Sequence, residues 1–289
     1  MCIRDRSKII ASDQENYYED RFLGMGQTNA VIKQLASSNR LRVEVFLDNQ
    51  KEANHLIDEF GGKINKLENI DWAKKNSISN RPLIKIRDQI LVSDNSNPTH
   101  LKDIKNKYPN KKIIAIPAAL AFGTGDHATT STCLRMVVDI SKKYKKEKRN
   151  WSLFDIGLGT GILAISARLM GAYEVEGFDF DPNAITIAKR NIKINSIDNI
   201  SVYEKDLFDW FPSEDKTWDV ITANIFANVL NPNLNKIWNS VAANGHLLLS
   251  GVLKEHHESV IKTSNENGMP EPNIHLKGKW VSFHYKKDS

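Results

Sequence analysis

The chain has 289 residues, of which 40% are hydrophobic and 26% are charged, with a formal net charge of +5, and this is enough for a catalytic domain with a large core and a second, small domain. No apolar stretch is long enough to span a bilayer and no signal peptide opens the chain, so we expect a cytoplasmic protein. Its two cysteines, Cys2 and Cys133, are too few for a disulfide framework, and no histidine or carboxylate pattern has the spacing of metal ligands, so we expect no metal.

The first forty residues predict little structure. The opening heptapeptide MCIRDRS fits nothing that follows, so we exclude residues 1–7 from the fold. Residues 8–40 contain only a weak helical pattern, around 28–37, which we cannot place in a domain.

The next segment predicts a small α/β domain. Alternating apolar residues indicate a strand at 40–47, and an amphipathic pattern indicates a helix at 51–60 that ends at Gly61. Residues 82–92 are predicted to form further strand. We therefore expect an N-terminal domain over residues 8–93.

A loop and two helices are expected next. Residues 93–98 have loop composition and are predicted to link the domains, and a short helix is predicted at 99–107. Another helix is predicted at 131–140. The lysine-rich run at 142–149 indicates the solvated end of that helix, with a nucleic-acid contact as the alternative. Catalysis is expected in residues 94–289.

The sequence DIGLGTG at 155–161 is the most informative stretch of the chain. It follows an apolar strand predicted at 151–156 and precedes an apolar helix that begins at Ile162. This order of strand, glycine turn and helix is typical of domains that bind nucleotide-like ligands. Gly157 and Gly159 lack a Cβ atom, so a ligand can approach their backbone closely. We predict a cofactor loop; a glycine-rich turn without a ligand is the alternative.

Two carboxylates after the next strand have different expected roles. The strand predicted at 173–178 ends at Asp179, about twenty residues after the first glycine, where a carboxylate can accept both hydroxyls of a ribose. Asp181 precedes Pro182, which is an ordinary helix start, so we interpret Asp181 as an N-cap. The spacing between the glycine motif and Asp179 fits both nicotinamide-binding and S-adenosylmethionine-binding proteins. However, Ile162 stands where the nicotinamide fingerprint has glycine or alanine, which disfavours a pyrophosphate.

The remaining elements alternate between strand and helix, which implies a doubly wound parallel sheet. Strands are predicted at 200–203, 218–223, 245–250, 273–276 and 280–285, and helices at 182–194, 230–242 and 255–266. Only three residues join the last two strands, too few for a parallel crossover, so that pair is expected to be antiparallel.

Three ordered motifs together resemble one family. They are AFGTGDHATT at 121–130, DIGLGTGILAI at 155–165 and ANIFA at 223–227. The middle motif alone resembles motif I of class I S-adenosylmethionine-dependent methyltransferases. The set is similar to the PrmA family, the methyltransferases of ribosomal large-subunit protein 11, over residues 113–289. The resemblance implies a seven-stranded Rossmann-like sheet with an antiparallel last strand, and S-adenosylmethionine as the cofactor.

The resemblance also implies roles for single residues. It places Thr130 and Gly157 at the amino-acid end of S-adenosylmethionine, with Gly159 in the same loop, Asp179 on the ribose, and Asn224 at the methionine end near the reacting methyl group. Asn224 is thereby the candidate catalytic residue. For Thr130, an N-cap on the helix at 131–140 is the alternative. For His127, we favour a role in orienting its loop over that of a catalytic base.

The expected reaction is methyl transfer to an amine. Nucleic-acid amino-methyltransferases carry Asn-Pro-Pro-Tyr where this chain has Asn224-Ile-Phe-Ala, and the missing Pro-Pro-Tyr argues against base flipping, although Phe226 keeps that alternative open. The resemblance implies a protein-lysine N-methyltransferase of a ribosomal large-subunit protein. The alternatives are a lysine methyltransferase of the electron-transfer flavoprotein beta subunit, an RNA or DNA amino-methyltransferase, and a binding protein that kept the cofactor fold without activity. We expect residues 8–93 to recognise the substrate, with no nucleic acid or membrane required, in a monomer.

Overall fold

The computed structural model describes residues 3–11, 30–34, 40–47, 50–61, 82–117, 125, 127–213 and 215–289. The chain divides into two compact units, Met1–Asp71 and Trp72–Ser289. This division lies earlier than the expected boundary at 93/94. The reason is that the strand ending at Ser93 pairs with a later strand, Lys112–Ala115, so both belong to the second unit.

The first unit contains an antiparallel sheet and a helix. Its elements are β1 (Ile3–Ala11), β2 (Ala30–Gln34), β3 (Arg40–Leu47) and α1 (Gln50–Phe60), with the sheet order β1-β3-β2. The predicted strand and helix at 40–47 and 51–60 are confirmed. Helix α1 stops at Gly61, whose φ of +68° is left-handed and therefore suits glycine.

Two expectations about the first unit were wrong. Residues 30–34 of the weak helical pattern form a strand, because β-branched Val31 and Ile32 pair with β3; residues 28–29 and 35–37 lie outside the described residues. The excluded heptapeptide is also part of the fold from Ile3 onward, since β1 pairs antiparallel with β3.

The second unit begins with a small three-stranded sheet. It comprises β4 (Ile84–Ile86), β5 (Ile90–Ser93), α2 (Pro98–Lys107) and β6 (Lys112–Ala115), in the order β4-β5-β6. The single strand predicted at 82–92 is in fact a hairpin that turns at Arg87, where φ is +50°. Residues 93–98 are the loop between β5 and α2, with Asn97 capping the helix, rather than an interdomain linker. Strand β6 was not predicted.

A seven-stranded sheet dominates the second unit and confirms the expected fold class. Its strands are β7 (Ser152–Ile156), β8 (Glu174–Asp179), β9 (Ile200–Glu204), β10 (Trp218–Asn224), β11 (Val241–Leu253), β12 (Asn273–Lys277) and β13 (Trp280–Lys286). Their order is β12-β13-β11-β10-β7-β8-β9. Strands β7 to β11 are parallel, and β13 runs antiparallel to both neighbours, as predicted. The carboxyl ends of the parallel strands therefore meet at one edge.

Helices cover both faces of this sheet. They are α3 (Ala128–Lys146), α4 (Ile162–Leu169), α5 (Pro182–Ile194), α6 (Ala227–Asn239) and α7 (His257–Glu266). Three differ from prediction. Helix α3 starts before 131 and extends well past 140, so it includes part of the lysine run. Helix α6 begins and ends three residues earlier than expected, and it ends there because Val241 already belongs to β11. Helix α7 begins two residues later than expected.

One hydrophobic core lies on each face of the sheet. Buried residues of α3 and α4 pack with Leu153, Val220 and Leu248 on one face, together with the small sheet. On the other face, α6 packs over Ile221, Leu249 and Phe283. Among the described residues, none of the helices is long and apolar enough to cross a membrane.

Candidate active site

The glycine loop leaves the carboxyl end of β7 in a conformation that requires glycine. Gly157, Gly159 and Gly161 have φ values of +69°, +53° and +76°, all in the left-handed region. At Gly157 space is also short, because an added Cβ atom would lie 2.6 Å from Cγ2 of Ile225. The loop therefore presents bare backbone at the sheet edge.

Asp179 lies at the end of β8 and holds the glycine loop. One carboxylate oxygen accepts a hydrogen bond from the backbone N–H of Gly159 at 2.9 Å, and the other accepts from the N–H of Asp181 at 3.1 Å. Burial raises the pKa of Asp179, while these hydrogen bonds act in the opposite direction. Each oxygen has a second lone pair, so the carboxylate can still accept from hydroxyl donors.

Asp181 is the N-cap of α5, as predicted. Its side chain accepts a hydrogen bond from the N–H of Asn183 at 2.8 Å, and Pro182 occupies the first helical position. The two carboxylates of this loop thus have the separate local environments that the sequence indicated.

Thr130 and Asn224 meet across the cleft between α3 and β10. Thr130 is buried in the first turn of α3, and Nδ2 of Asn224 donates to its Oγ1 at a long distance of 3.4 Å. Oδ1 of Asn224 is buried and has no hydrogen-bond partner within the described part of the chain. A buried acceptor of this kind is costly unless it is satisfied, so the geometry suits a ligand that donates a hydrogen bond here.

The N-cap of α3 is His127, not Thr130. Its Nδ1 accepts from the N–H of Thr129 at 3.4 Å and lies 2.7 Å from Thr129 Oγ1. The imidazole ring also makes an edge contact with Trp280, with 5.1 Å between ring centroids. Because Nδ1 is engaged by the helix start, the contacts favour the structural role for His127 over that of a base.

Asp155, the first residue of the glycine motif, is buried beneath the loop. Its Oδ1 accepts from Oγ1 of Thr222 at 2.6 Å, and its Oδ2 has no hydrogen-bond partner among the described residues. Burial raises the pKa of Asp155 to about 7. A positive charge bound nearby would favour the ionised form.

One cavity of about 390 Å³ collects all five predicted site residues: Thr130, Gly157, Gly159, Asp179 and Asn224. It also contains residues that the sequence did not single out. Among these are Phe180, Lys205, Asp206 and Leu207, which follow β8 and β9, and Trp280 at the start of β13. Residues 121–124 and 126 of the first motif lie outside the described residues. Within the described ranges, no group of three or more histidine, cysteine or carboxylate side chains is placed to hold a metal.

The sequence could have indicated three of these cavity residues. Ligands of such folds bind at the carboxyl ends of the parallel strands, and a predicted strand is directly followed by Lys205, Asp206 and Leu207. Trp280 had a weaker signal: the antiparallel last strand expected at 280–285 starts at this edge, but its register against β11 cannot be read from the sequence. The cavity is mostly apolar, with a few convergent acceptors, which is the usual character of a small-molecule site.

Comparison with known proteins gives a consistent result. A family model described as ribosomal protein L11 methyltransferase (PrmA) matches residues 2–288. Two relatives named ribosomal protein L11 methyltransferase, from Clostridium perfringens strains SM101 and 13, are each 31% identical over 241 residues, which covers 82% of this chain and 71% of theirs. A solved structure described as ribosomal protein L11 methylase from Lactobacillus delbrueckii subsp. bulgaricus is similar in fold. Its TM-score is 0.59 at 22% identity, over 72% of this chain and 100% of that one.

Proposed function

The chain belongs to the ribosomal protein L11 methyltransferase (PrmA) family, and we propose that it transfers methyl groups from S-adenosylmethionine to amino groups of ribosomal protein L11. The family match carries the proposal, because it runs through almost the whole chain rather than through the cofactor-binding part alone. It favours L11 over the two alternative substrates, the electron-transfer flavoprotein subunit and a nucleic acid.

The residues of the cavity fit S-adenosylmethionine. The glycine loop presents backbone without Cβ atoms at Gly157 and Gly159, which supports an amino-acid end lying against this loop. Asp179 has spare acceptor capacity for ribose hydroxyls. The unsatisfied Oδ1 of Asn224 supports a donor group near the methionine end of the cofactor, since Asn224 contacts Thr130 there. The apolar Leu207 lines the same cavity as Asp179 and offers a surface for a flat base.

The bound cofactor supplies a methyl group on a positively charged sulfur. The chain's own contribution is to bring an amine into line with it, an effect that can be worth about 7–11 kcal/mol. Asn224 is the candidate for this task, because its free Oδ1 can accept a hydrogen bond from an amine N–H and so aim the nitrogen lone pair. Thr130 would hold the amide of Asn224 in place through the contact with Nδ2.

The amine must be neutral when it reacts. A lysine side chain is almost wholly protonated at neutral pH, since its usual pKa is about 10.4. An apolar cavity disfavours the charged form, so desolvation lowers the pKa of the incoming amine, and water can carry the proton away. No strong base is required for this scheme.

The N-terminal unit is the proposed substrate selector. All the cofactor motifs lie in the second unit, and the first contains none of them. The functional division proposed from the sequence, recognition in 8–93 and catalysis in 94–289, is better drawn near residue 72, because β4 and β5 share the core of the catalytic unit.

The experiment is incubation of the full chain with labelled S-adenosylmethionine and the separated proteins of the large ribosomal subunit, followed by mass spectrometry. We expect label in L11, on amino groups. Label in another ribosomal protein, or in ribosomal RNA alone, would contradict the proposed substrate.

A further inference from the structure

Exposed phenylalanine side chains concentrate at the edge of the sheet that carries the cavity. Among the described residues, seven large hydrophobic side chains are exposed, and four of them are phenylalanines: Phe180 (72%), Phe208 (51%), Phe211 (77%) and Phe226 (64%). The other three are Tyr173, Ile274 and Leu276. We call the four phenylalanines the phenylalanine rim.

The topology explains why these side chains share one edge. Phe180 directly follows β8, Phe208 and Phe211 follow β9, and Phe226 follows β10. These strands are parallel, so their carboxyl ends lie together. Phe180 and Phe226 also line the cavity itself, and the rim is therefore continuous with the mouth of the proposed active site. Tyr173, by contrast, precedes β8 and lies at the opposite edge.

The rim is built on an anchored segment rather than on a loose loop. Phe208 and Phe211 alternate with Leu207 and Trp210, which are buried. The Trp210 ring packs against Phe154 with 5.4 Å between the ring centroids. Exposed aromatic groups on a fixed backbone lose little conformational freedom on binding, which makes them efficient contact residues.

A lysine on the neighbouring helix holds the same segment from the solvent side. Nζ of Lys236 donates to the backbone carbonyls of Leu207 and Phe208. The ammonium group also lies over the Phe211 ring, 5.2 Å from its centroid. These contacts hold the backbone at Leu207 and Phe208 and place an ammonium group against the Phe211 ring.

The rim is acidic although the chain is basic overall. Along the segments that carry Phe180, Phe208 and Phe211, carboxylates outnumber lysines: Asp181, Glu204, Asp206 and Asp209 stand against Lys205, with Lys236 reaching the second segment from α6. The whole chain has a formal net charge of +5. An acidic aromatic patch is complementary to a basic surface with apolar residues, and complementary charge speeds association and selects the partner.

We infer that the phenylalanine rim is a docking surface for the methylated protein, a basic protein that covers the cavity mouth with an apolar contact. The inference rests on the proposed function and deepens it. A protein that binds ribosomal RNA needs positive charge to neutralise phosphates, so the proposed substrate class has the matching sign. A partner seated on the rim brings its amines to the cavity, because two rim residues line that cavity.

The test compares binding by two matched variants. The double variant Phe208→Ser/Phe211→Ser removes rim residues that do not line the cavity, and Tyr173→Ser removes an exposed aromatic at the opposite edge. Calorimetry measures the affinity of each full-length protein for purified ribosomal protein L11, with S-adenosylhomocysteine present. We expect the double variant to bind at least about tenfold more weakly, and Tyr173→Ser to bind like the wild type. Equal affinity of wild type and double variant, or an equal loss in Tyr173→Ser, would overturn the inference.

A charge variant and an oligomerisation measurement complete the test. Asp209→Asn should weaken binding to L11 at low salt and match the wild type at high salt, because salt screens exposed charges. No difference at low salt would contradict the acidic part of the inference.

If instead the rim mediates self-association, light scattering will show a dimer of the wild type that the variant Phe208→Ser/Phe211→Ser does not form. With unchanged affinity for L11, the inference then fails. Methyl transfer to L11 by the wild type is measured separately, so that binding without transfer refutes the proposed function and leaves the docking surface standing.

Discussion

Replacing Gly157 by alanine should damage cofactor binding more than the backbone strain alone explains. At a φ of +69°, alanine costs about 1–2 kcal/mol relative to glycine. The new Cβ atom would also lie 2.6 Å from Cγ2 of Ile225, so that side chain must move, and overpacking of this kind costs about 1–3 kcal/mol more. Gly157 and Ile225 both line the cavity, so their rearrangement changes the shape of the cofactor site.

Gly268→Ala is the matched control. Gly268 has a similar φ of +64°, and no atom of the described residues lies within 4 Å of the position that a Cβ would take. For a domain of this size, about 2–4 °C of melting temperature corresponds to 1 kcal/mol, so the control should lose about 2–8 °C and Gly157→Ala clearly more. Calorimetry should show S-adenosylmethionine binding at least about tenfold weaker in Gly157→Ala and unchanged in Gly268→Ala. Equal melting losses together with equal affinities would refute the assignment of the glycine loop.

Three further outcomes are expected. Asp179→Ala should weaken S-adenosylmethionine binding by about 1–3 kcal/mol in calorimetry, since charged hydrogen bonds are lost; unchanged affinity would move the ribose contact to Asp181. Asn224→Ala should lower kcat far more than cofactor affinity, and a normal kcat would reduce Asn224 to a loop residue. His246, buried beside His284, has its pKa lowered to about 3, mainly by burial. Its unfolded-state pKa is about 6.5, so below pH 6.5 the unfolded state gains a proton that the folded state does not. Between pH 7 and pH 5 this lowers the free energy of unfolding of the wild type by about 2 kcal/mol. Urea unfolding at the two pH values should show a smaller decrease for His246→Phe, which has no imidazole at this position.

The sequence predicted the catalytic unit well wherever local pattern and tertiary environment agree. The strand before Gly157, the helix after Asp181 and the antiparallel final pair all follow from apolar periodicity, caps and loop length, and the structure confirms them. These signals lie within short segments of the sequence, so they can be read without knowing which elements pack against each segment.

The features that the sequence did not predict have a different common cause. Strand β6 is short and exists because it pairs with β5 across an intervening helix, and residues 30–34 form a strand only through pairing with β3. Trp280 reaches the cavity through the register of β13. None of these partners can be read from a local pattern, because each depends on non-local pairing.

If this cavity transfers methyl groups from S-adenosylmethionine to ribosomal protein L11, the mass of L11 must rise. The measurement is the intact mass of purified L11 after incubation with S-adenosylmethionine and either the wild type or Asn224→Ala. We predict that L11 gains whole methyl increments with the wild type, and far fewer in the same time with Asn224→Ala, while both proteins bind the cofactor. Unmodified L11 in the presence of cofactor-bound wild type would contradict the claim.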